Sequence, residues 1–294
     1  HSLYGATRVP TAESLAGLDT LVFDIQDIGT RFYTYISTMK GAMEASAEHN
    51  LRFVVLDRPN PIDGIHVQGP VLDAGSESFV GCHSLPVRHG MTTGEIAGRL
   101  KDELNLDLDL VIVPVQGWNR QQMFDATGRI WINPSPNMRS LTEAIVYPGI
   151  GLWETTNVSV GRGTDTPFER LGAPWIDAAE FAQRLNAEGL SGVTFIPFNF
   201  TPASSKYANE SCGGVNIMIV DRELFDPVRT GLTVAVVLRE LYPNDWDTTS
   251  LNRLLGNSVT EQAILAGLSV DEIVARYRAD LDQFKTRRVK HLLY

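Results

Sequence analysis

The sequence predicts an α/β fold: a Rossmann-like parallel sheet with helices on both faces, followed by a smaller α+β C-terminal domain. Three observations carry that expectation. The first half alternates short apolar runs with amphipathic stretches, as strands separated by crossover helices do. Polar and charged residues collect just after those runs, at the rim where open parallel sheets gather their chemistry. Past residue 170 the order changes to longer strands followed by helices, which reads as a second, α+β domain.

In order, "LVFDI" (Leu21 to Ile25) reads as a buried strand, and a helix is expected from about Ser37 to His49. "RFVVLD" (Arg52 to Asp57) is the next strand and ends in the turn-rich "RPNPIDG". "TTGEIAGRLKDEL" (Thr92 to Leu104) sets apolar residues at helical spacing behind a threonine cap, with Glu95 placed to complete a capping box. "LDLVIVPV" (Leu108 to Val115) is a third strand. Ile132 to Phe168 is rich in Gly, Pro, Asn and Thr and predicts a working loop system rather than a linker. Beyond it, "GVTFIPFNFTP" and "GGVNIMIVD" read as strands, and Pro227 to Leu241 as a helix. Val270 to Lys285 predicts a further helix, with Ile273, Val274, Tyr277, Leu281 and Phe284 at helical spacing. The expected domains are residues 1–170, Rossmann-like and N-terminally truncated, and 171–294, an α+β auxiliary domain.

The 294 residues suit one large domain or two ordinary ones, and 43% hydrophobic with 20% charged residues allows a true core. A net charge of −10, a pI near 5.1 and the lack of a long basic run argue against nucleic acid, whose phosphates need clustered Lys and Arg. The densest basic cluster, Arg287, Arg288 and Lys290, reads as a solvated helix end. No window approaches the roughly 18 apolar residues of a membrane span. Cys82 and Cys212 lie far apart without CxxC spacing and read as two free, partly buried thiols. His66, His83 and His89 show neither HxH nor HExxH spacing, so no metal is expected. "GRGTDT" matches neither nucleotide-binding glycine pattern, and no GxSxG elbow or SxxK is present, so neither a cofactor nor a serine nucleophile is expected. The chain opens at His1 rather than Met, which reads as a cut end.

The chemistry-bearing residues fall in three patches. "DIQDIGTRFYTY" leaves the first strand with Asp24, Gln26, Asp27, Arg31 and Tyr33. Asp24 and Asp27 suit a catalytic carboxylate, a hydroxyl acceptor or a metal ligand; the plainer reading is a turn cap and a partner for Arg31. Tyr33 and Tyr35 share a face if the chain is extended, for core packing or for sugar stacking. "LDRPNP" presents Asp57, Arg58 and Asn60 on a loop stiffened by prolines. "PVRHGMTTGE" adds His89, an acid, base or donor, whereas capping accounts for Glu95. "WETTNVSVGRGTDTPFE" holds Glu154, Asn157, Ser159, Arg162, Thr164, Asp165 and Glu169, with Trp118, Trp131 and Trp153 near in sequence. Carboxylates, amides and flat aromatic faces together are how proteins handle carbohydrate, and an arginine fork suits a carboxylated sugar.

The motifs "HSLYG", "DTLVFDIQDIGTRFYTYISTM", "LDRPNPIDG", "PVRHGMTTGEIA", "PSPNMRS", "YPG", "TNVSVGRGTDTPFERLGAPWI" and "HLLY" resemble the exo-β-N-acetylmuramidases of the NamZ type, from the first residue to the last. The resemblance implies a glycoside hydrolase that frees N-acetylmuramic acid from the non-reducing ends of peptidoglycan fragments, without a nucleotide. It also implies a Rossmann-like domain joined to a smaller C-terminal one, with the active site in the cleft between them. The catalytic candidates are then Asp24, Asp27 and His89. The substrate-binding candidates are Gln26, Arg31, Tyr33, Arg58, Asn60, Asn137, Glu154, Asn157, Ser159 and Arg162. Arg31, Arg58 or Arg162 would meet the lactyl carboxylate of muramic acid.

Members of that family carry a Pro-Glu-His-Gly segment upstream of "SLYG", whose glutamate is the leading catalytic acid. This sequence has no such segment, so the acid is expected upstream of His1. Retaining, inverting and N-acetyl-assisted routes stay open. The expected partner is a peptidoglycan-derived saccharide or muropeptide, and the expected location is secreted or periplasmic. Two rivals remain at this level: a muropeptide- or carbohydrate-binding protein without turnover, and a metal-dependent hydrolase built on Asp24, Asp27 and Asp57. Asp27, Asn60 and Arg162 are expected to converge on one sugar-sized hollow.

Overall fold

The computed structural model describes every residue except His1, Tyr4 and Ala6, so the "HSLYG" motif falls partly outside the described residues. The elements run α1 (Ala12–Leu15), β1 (Thr20–Phe23), α2 (Tyr35–Glu48), β2 (Arg52–Leu56), β3 (Gln68–Val71), β4 (Pro86–Arg88), α3 (Thr93–Glu103) and β5 (Leu110–Val113). They continue with α4 (Leu141–Ile150), β6 (Arg170–Ala173), α5 (Ala178–Ala187), β7 (Val193–Phe200), β8 (Cys212–Ile219), α6 (Pro227–Leu241), α7 (Asn252–Leu255), α8 (Ser258–Leu265) and α9 (Val270–Arg288). The chain packs as two compact units: 1–67, 72–130 and 282–294 form the first, and 68–71 with 131–281 the second. The change of sequence character near residue 170 falls inside the second unit.

In the first unit β1, β2 and β5 make a three-stranded parallel sheet in that order, flanked by helices. Val22, Val54 and Val111 stand in register, as do Phe23, Val55 and Ile112 in the next row. The crossover helices α2 and α3 touch each other and pack on the sheet, where Phe23, Phe53 and Val55 are buried. The alternate row, with Val22, Leu56, Val111 and Val113, is exposed. The predicted capping box at α3 is present: Thr92 accepts the Glu95 N–H, and the Glu95 carboxylate accepts the Thr92 N–H at 2.9 Å.

The C-terminal segment belongs to this first unit and ties its loops together. Tyr294 donates its hydroxyl to Asp57 at 2.7 Å and accepts the Val115 N–H at 2.8 Å. The Leu293 N–H reaches Glu95 at 2.9 Å, and the Arg99 guanidinium lies 4.6 Å over the Phe284 ring. One expectation fails here. Of the basic cluster read as a solvated helix end, Arg288 is buried and donates to backbone carbonyls of Gly64 and Gly90.

In the second unit β6, β8 and β7 form an antiparallel sheet with β8 in the middle. α6 begins with Asp226 as cap and Pro227 in its first turn, the arrangement both residues favour. The structure also corrects the reading of 132–168 as loop, because α4 lies within it. That helix is buried on every side, so it lacks the polar face that marks an amphipathic helix, and Pro148 reads as a breaker. Gly149 brings α4 against α6: a Cβ there would stand 1.8 Å from the Pro227 carbonyl oxygen. Cys82 and Cys212 are free, as expected, and both are buried rather than partly buried. Among the described residues, no helix is long and apolar enough to cross a membrane.

Candidate active site

At the end of β1 the polar residues divide by depth. Asp24 and Arg58 pair at the surface, Nε and Nη2 meeting one carboxylate oxygen at 2.9 and 2.6 Å. Their side chains are 50% and 40% exposed, so solvent screens the pair. Asp27 is only 4% exposed. Its Oδ2 accepts the Gly29 N–H at 2.7 Å and stands 3.3 Å from His89 Nε2. Its Oδ1 is buried without a hydrogen-bond partner among the described residues.

His89 is fully buried, and its Nδ1 accepts the Met91 N–H at 3.2 Å. The neutral ring therefore carries its proton on Nε2, the nitrogen nearest Asp27. The two loops are stitched together by backbone bonds, Arg31 N–H to Val87 at 2.9 Å and His89 N–H to Gly29 at 3.3 Å. Asn60 fills the space over Gly29, whose φ is +81° and whose Cβ would stand 2.5 Å from Asn60 Oδ1. The Asn60 amide donates to Met91 at 3.0 Å and accepts the Ile62 N–H at 3.1 Å. Gln26 donates to the carbonyls of Asp27 at 2.6 Å and Pro59 at 3.0 Å. Gln26, Asp27, Asn60 and His89 are thus brought together, and the last three are buried.

A layer of saturated charges holds this cluster. Asp63, with φ at +72°, accepts the N–H groups of Ile65 and His66 at 2.9 Å, His66 Nδ1 at 2.8 Å and Arg88 Nη2 at 2.8 Å. Burial pushes its carboxyl up, but the His66 hydrogen bond and the Arg88 charge outweigh that and hold it below the usual range. Arg120 pairs with Glu95, and both Arg120 and Arg288 donate to the Gly90 carbonyl, next to His89. Burial lowers Arg288 to about 10, with Arg120 adding repulsion. Asp57 is occupied by Gly94 N–H, Arg58 N–H, Thr92 Oγ1 and Tyr294 OH. The structure therefore does not assemble Asp24, Asp27 and Asp57 as a metal set: one is in a surface ion pair and another is saturated.

Arg31 and Tyr33 run inward. Arg31 is fully buried, donates to the Leu85 carbonyl at 3.0 Å and is lowered by burial to about 10. Tyr33 meets Tyr35 edge to face at 5.2 Å. The extended-chain reading of this pair is corrected, because the chain turns before Tyr35 opens α2.

In the second unit Arg162 grips Glu154 with two nitrogens, one of them Nη2 at 3.1 Å, and lies 5.1 Å over the Phe168 ring. Both partners keep 28% and 29% of their side chains exposed. Lys206 donates to the carbonyls of Glu154 and Thr156, and burial lowers its pKa against the pull of Glu154. Asn157 spends its amide on the backbone of Asp245 and Asp247, each at 2.7 Å. Ser159 is buried and accepts the Gly161 N–H at 3.3 Å. Asn137 is half-buried in the stretch before α4. Sequence reasoning missed two buried carboxyls, Asp63 and Glu143. The first sits in an Asp-Gly turn, and the second completes a Ser140-Leu-Thr-Glu143 cap signature.

Residues 1–142 match the family described as Exo-beta-N-acetylmuramidase NamZ, N-terminal, and residues 145–294 its C-terminal counterpart. The Peptidoglycan beta-N-acetylmuramidase NamZ of Bacillus subtilis (strain 168) is 46% identical over 297 residues, covering 100% of this chain and 72% of that protein. A DUF1343 family protein from Bacteroides fragilis NCTC 9343 superposes with a TM-score of 0.93 at 36% identity, covering 100% of this chain and 79% of the other. A second such protein from the same organism gives 0.80 at 34% identity, covering 97% and 78%. The chain belongs to the NamZ exo-β-N-acetylmuramidase family.

Proposed function

We propose that this chain is an exo-β-N-acetylmuramidase, a glycoside hydrolase that releases N-acetylmuramic acid from the non-reducing ends of peptidoglycan fragments. The observation that carries its chemistry is Asp27: a buried carboxylate beside His89 with one oxygen lacking a partner among the described residues. A buried acceptor left unmade is destabilising in the free protein and ready for a donor brought by the substrate. Asp27 activates a water or faces the oxocarbenium-like centre that glycoside cleavage creates. His89 Nε2 faces Asp27 Oδ2 from the neighbouring loop at 3.3 Å. Gln26 and Asn60 set the backbone around both.

Arg162 takes the lactyl carboxylate that distinguishes muramic acid from N-acetylglucosamine. Its fork keeps 28% of the side chain exposed and holds the Glu154 carboxylate, for which a lactyl carboxylate would exchange. Peptidoglycan lies outside the cytoplasmic membrane, so we place the protein as secreted or periplasmic. The direct test offers the protein a chromogenic β-N-acetylmuramic acid glycoside and natural disaccharide fragments. Release of free N-acetylmuramic acid is expected; saturable binding of the fragments without release would make this a muropeptide-binding protein instead. In the same assay, Arg162→Ala is expected to raise KM for the muramic acid glycoside far more than for an N-acetylglucosamine one.

A further inference from the structure

The second unit contains a pair of carboxyls that the reaction proposed above does not use. Ser140 caps α4, accepting the Glu143 N–H at 3.1 Å, and its hydroxyl also reaches Glu169 Oε1 at 3.5 Å. Glu143 is 1% exposed and accepts the Arg139 N–H. Neither carboxyl has an ion-pair partner among the described residues. The Arg139 guanidinium faces Asp165 at 3.7 Å, and that of Arg170 lies 4.6 Å over the Phe198 ring. Among the described residues no cation contacts the buried Glu143 carboxyl or the half-buried Glu169 carboxyl beside Ser140, so two negative charges there repel and the deeper one is poorly solvated.

The segment that carries Glu169 is the Gly-rich loop with Arg162. It is fastened to α4 by the edge-to-face contact of Tyr147 with Phe168 at 4.6 Å, and Arg162 rests on that same Phe168 ring. We propose that Glu143 is a positioning residue that works in its uncharged form, allowing Glu169 to sit across Ser140 and so fixing the 161–169 loop and Arg162. Loss of its proton sets two carboxylates against each other and loosens the loop where it meets α4.

The electrostatics agree with the geometry. Burial pushes Glu143 up to about 7; the hydrogen bond from the Arg139 N–H opposes this most, the like charge of Glu169 adds to it, and the Ser140 N–H and the Arg139 charge oppose it more weakly. Glu169 is itself raised by burial, with Arg170 opposing. Among the described residues, the charged groups acting on Glu143 are Arg139, from the stretch before α4, and Glu169, from the stretch before β6.

The proton can be followed on the full chain without turnover. Carboxyl 13C NMR is expected to show a glutamate titrating near 7 that disappears in Glu143→Gln. The melting midpoint of the unmodified chain is expected to fall as pH rises from 5 to 8, and that of Glu143→Gln to fall much less. A glutamate signal confined to the ordinary carboxylate range, or equal pH slopes in both proteins, would overturn the proposal. If Glu143→Gln does not fold, Glu169→Gln decides: removing the neighbouring charge must lower the Glu143 midpoint, and an unmoved midpoint contradicts the pairing.

The link to Arg162 rests on the function proposed above and has its own readout. KM for the muramic acid glycoside should rise severalfold between pH 6 and 8 in the unmodified enzyme, with kcat changing less, and should be insensitive to pH in Glu143→Gln. A KM equally flat in both proteins contradicts the positioning role. Absence of turnover at every pH would defeat the functional reading, while titration and melting would still decide the proton.

Discussion

Asp63 in the first unit and Glu143 in the second are equally buried, each 1% exposed, yet burial has opposite consequences for them. Asp63 is surrounded by four donors, one of them the Arg88 guanidinium, and its pKa is held down. Glu143 receives only the backbone N–H groups of Arg139 and Ser140 and feels the like charge of Glu169, and burial pushes its pKa up to about 7. Depth sets only the penalty; the donors and charges around a carboxyl decide whether it is ionised. The first arrangement suits a rigid base for a catalytic cluster, the second a loop whose position can respond to a proton.

The comparison can be broken most severely at Asp63. Asp63→Asn should destabilise the protein by about 3–5 kcal/mol in urea denaturation, because it strands a buried arginine without its counter-charge. Adding Arg88→Met should recover part of that loss; no recovery would mean that Asp63 acts through its turn rather than through the ion pair.

Second in size is the pH dependence, where the two carboxyls act with opposite signs. Asp63 is depressed below its ordinary 3.8, so its contribution is present above that pH and lost as pH falls. Glu143 is raised from 4.5 to about 7, so the fold is favoured below 4.5 and loses stability as pH rises through about 7. The loss is on the order of 3 kcal/mol at full ionisation. At pH 8, Glu143→Gln should therefore be more stable than the unmodified chain in the same denaturation assay, with the difference vanishing as pH falls below 4.5. The smallest effect is expected at the screened surface pair: Arg58→Ala should change stability by less than about 1 kcal/mol.

Local signals in the sequence translated well. The Thr92–Glu95 box gave α3 its start, and Pro227 to Leu241 is helical over the expected span because Asp226 and Pro227 mark its beginning. α9 runs three residues past the expected Lys285. α4 was hidden because total burial removes the amphipathic period. At the site, Asp27, Asn60 and His89 were each visible as polar residues beyond apolar runs. Their meeting depends on backbone pairing between loops far apart in sequence, which no local pattern encodes. Asn157 and Ser159 looked like sugar ligands, but their side chains serve the backbone of their own unit. Glu143 and Asp63 were hard to see because a buried carboxyl and a surface cap have the same sequence signature.

The proposed reaction puts the chemistry on Asp27, deep in the first unit beside His89, and not on Asp24, three positions away in a surface ion pair. The direct measurement is turnover of a chromogenic β-N-acetylmuramic acid glycoside by Asp27→Asn and Asp24→Asn in parallel, with folding checked by circular dichroism. Asp27→Asn is expected to lose more than about a hundredfold in kcat, the scale of a removed acid, base or charge stabiliser, and Asp24→Asn to change within severalfold. Near-normal turnover by a folded Asp27→Asn protein, or equal losses in the two variants, would contradict it.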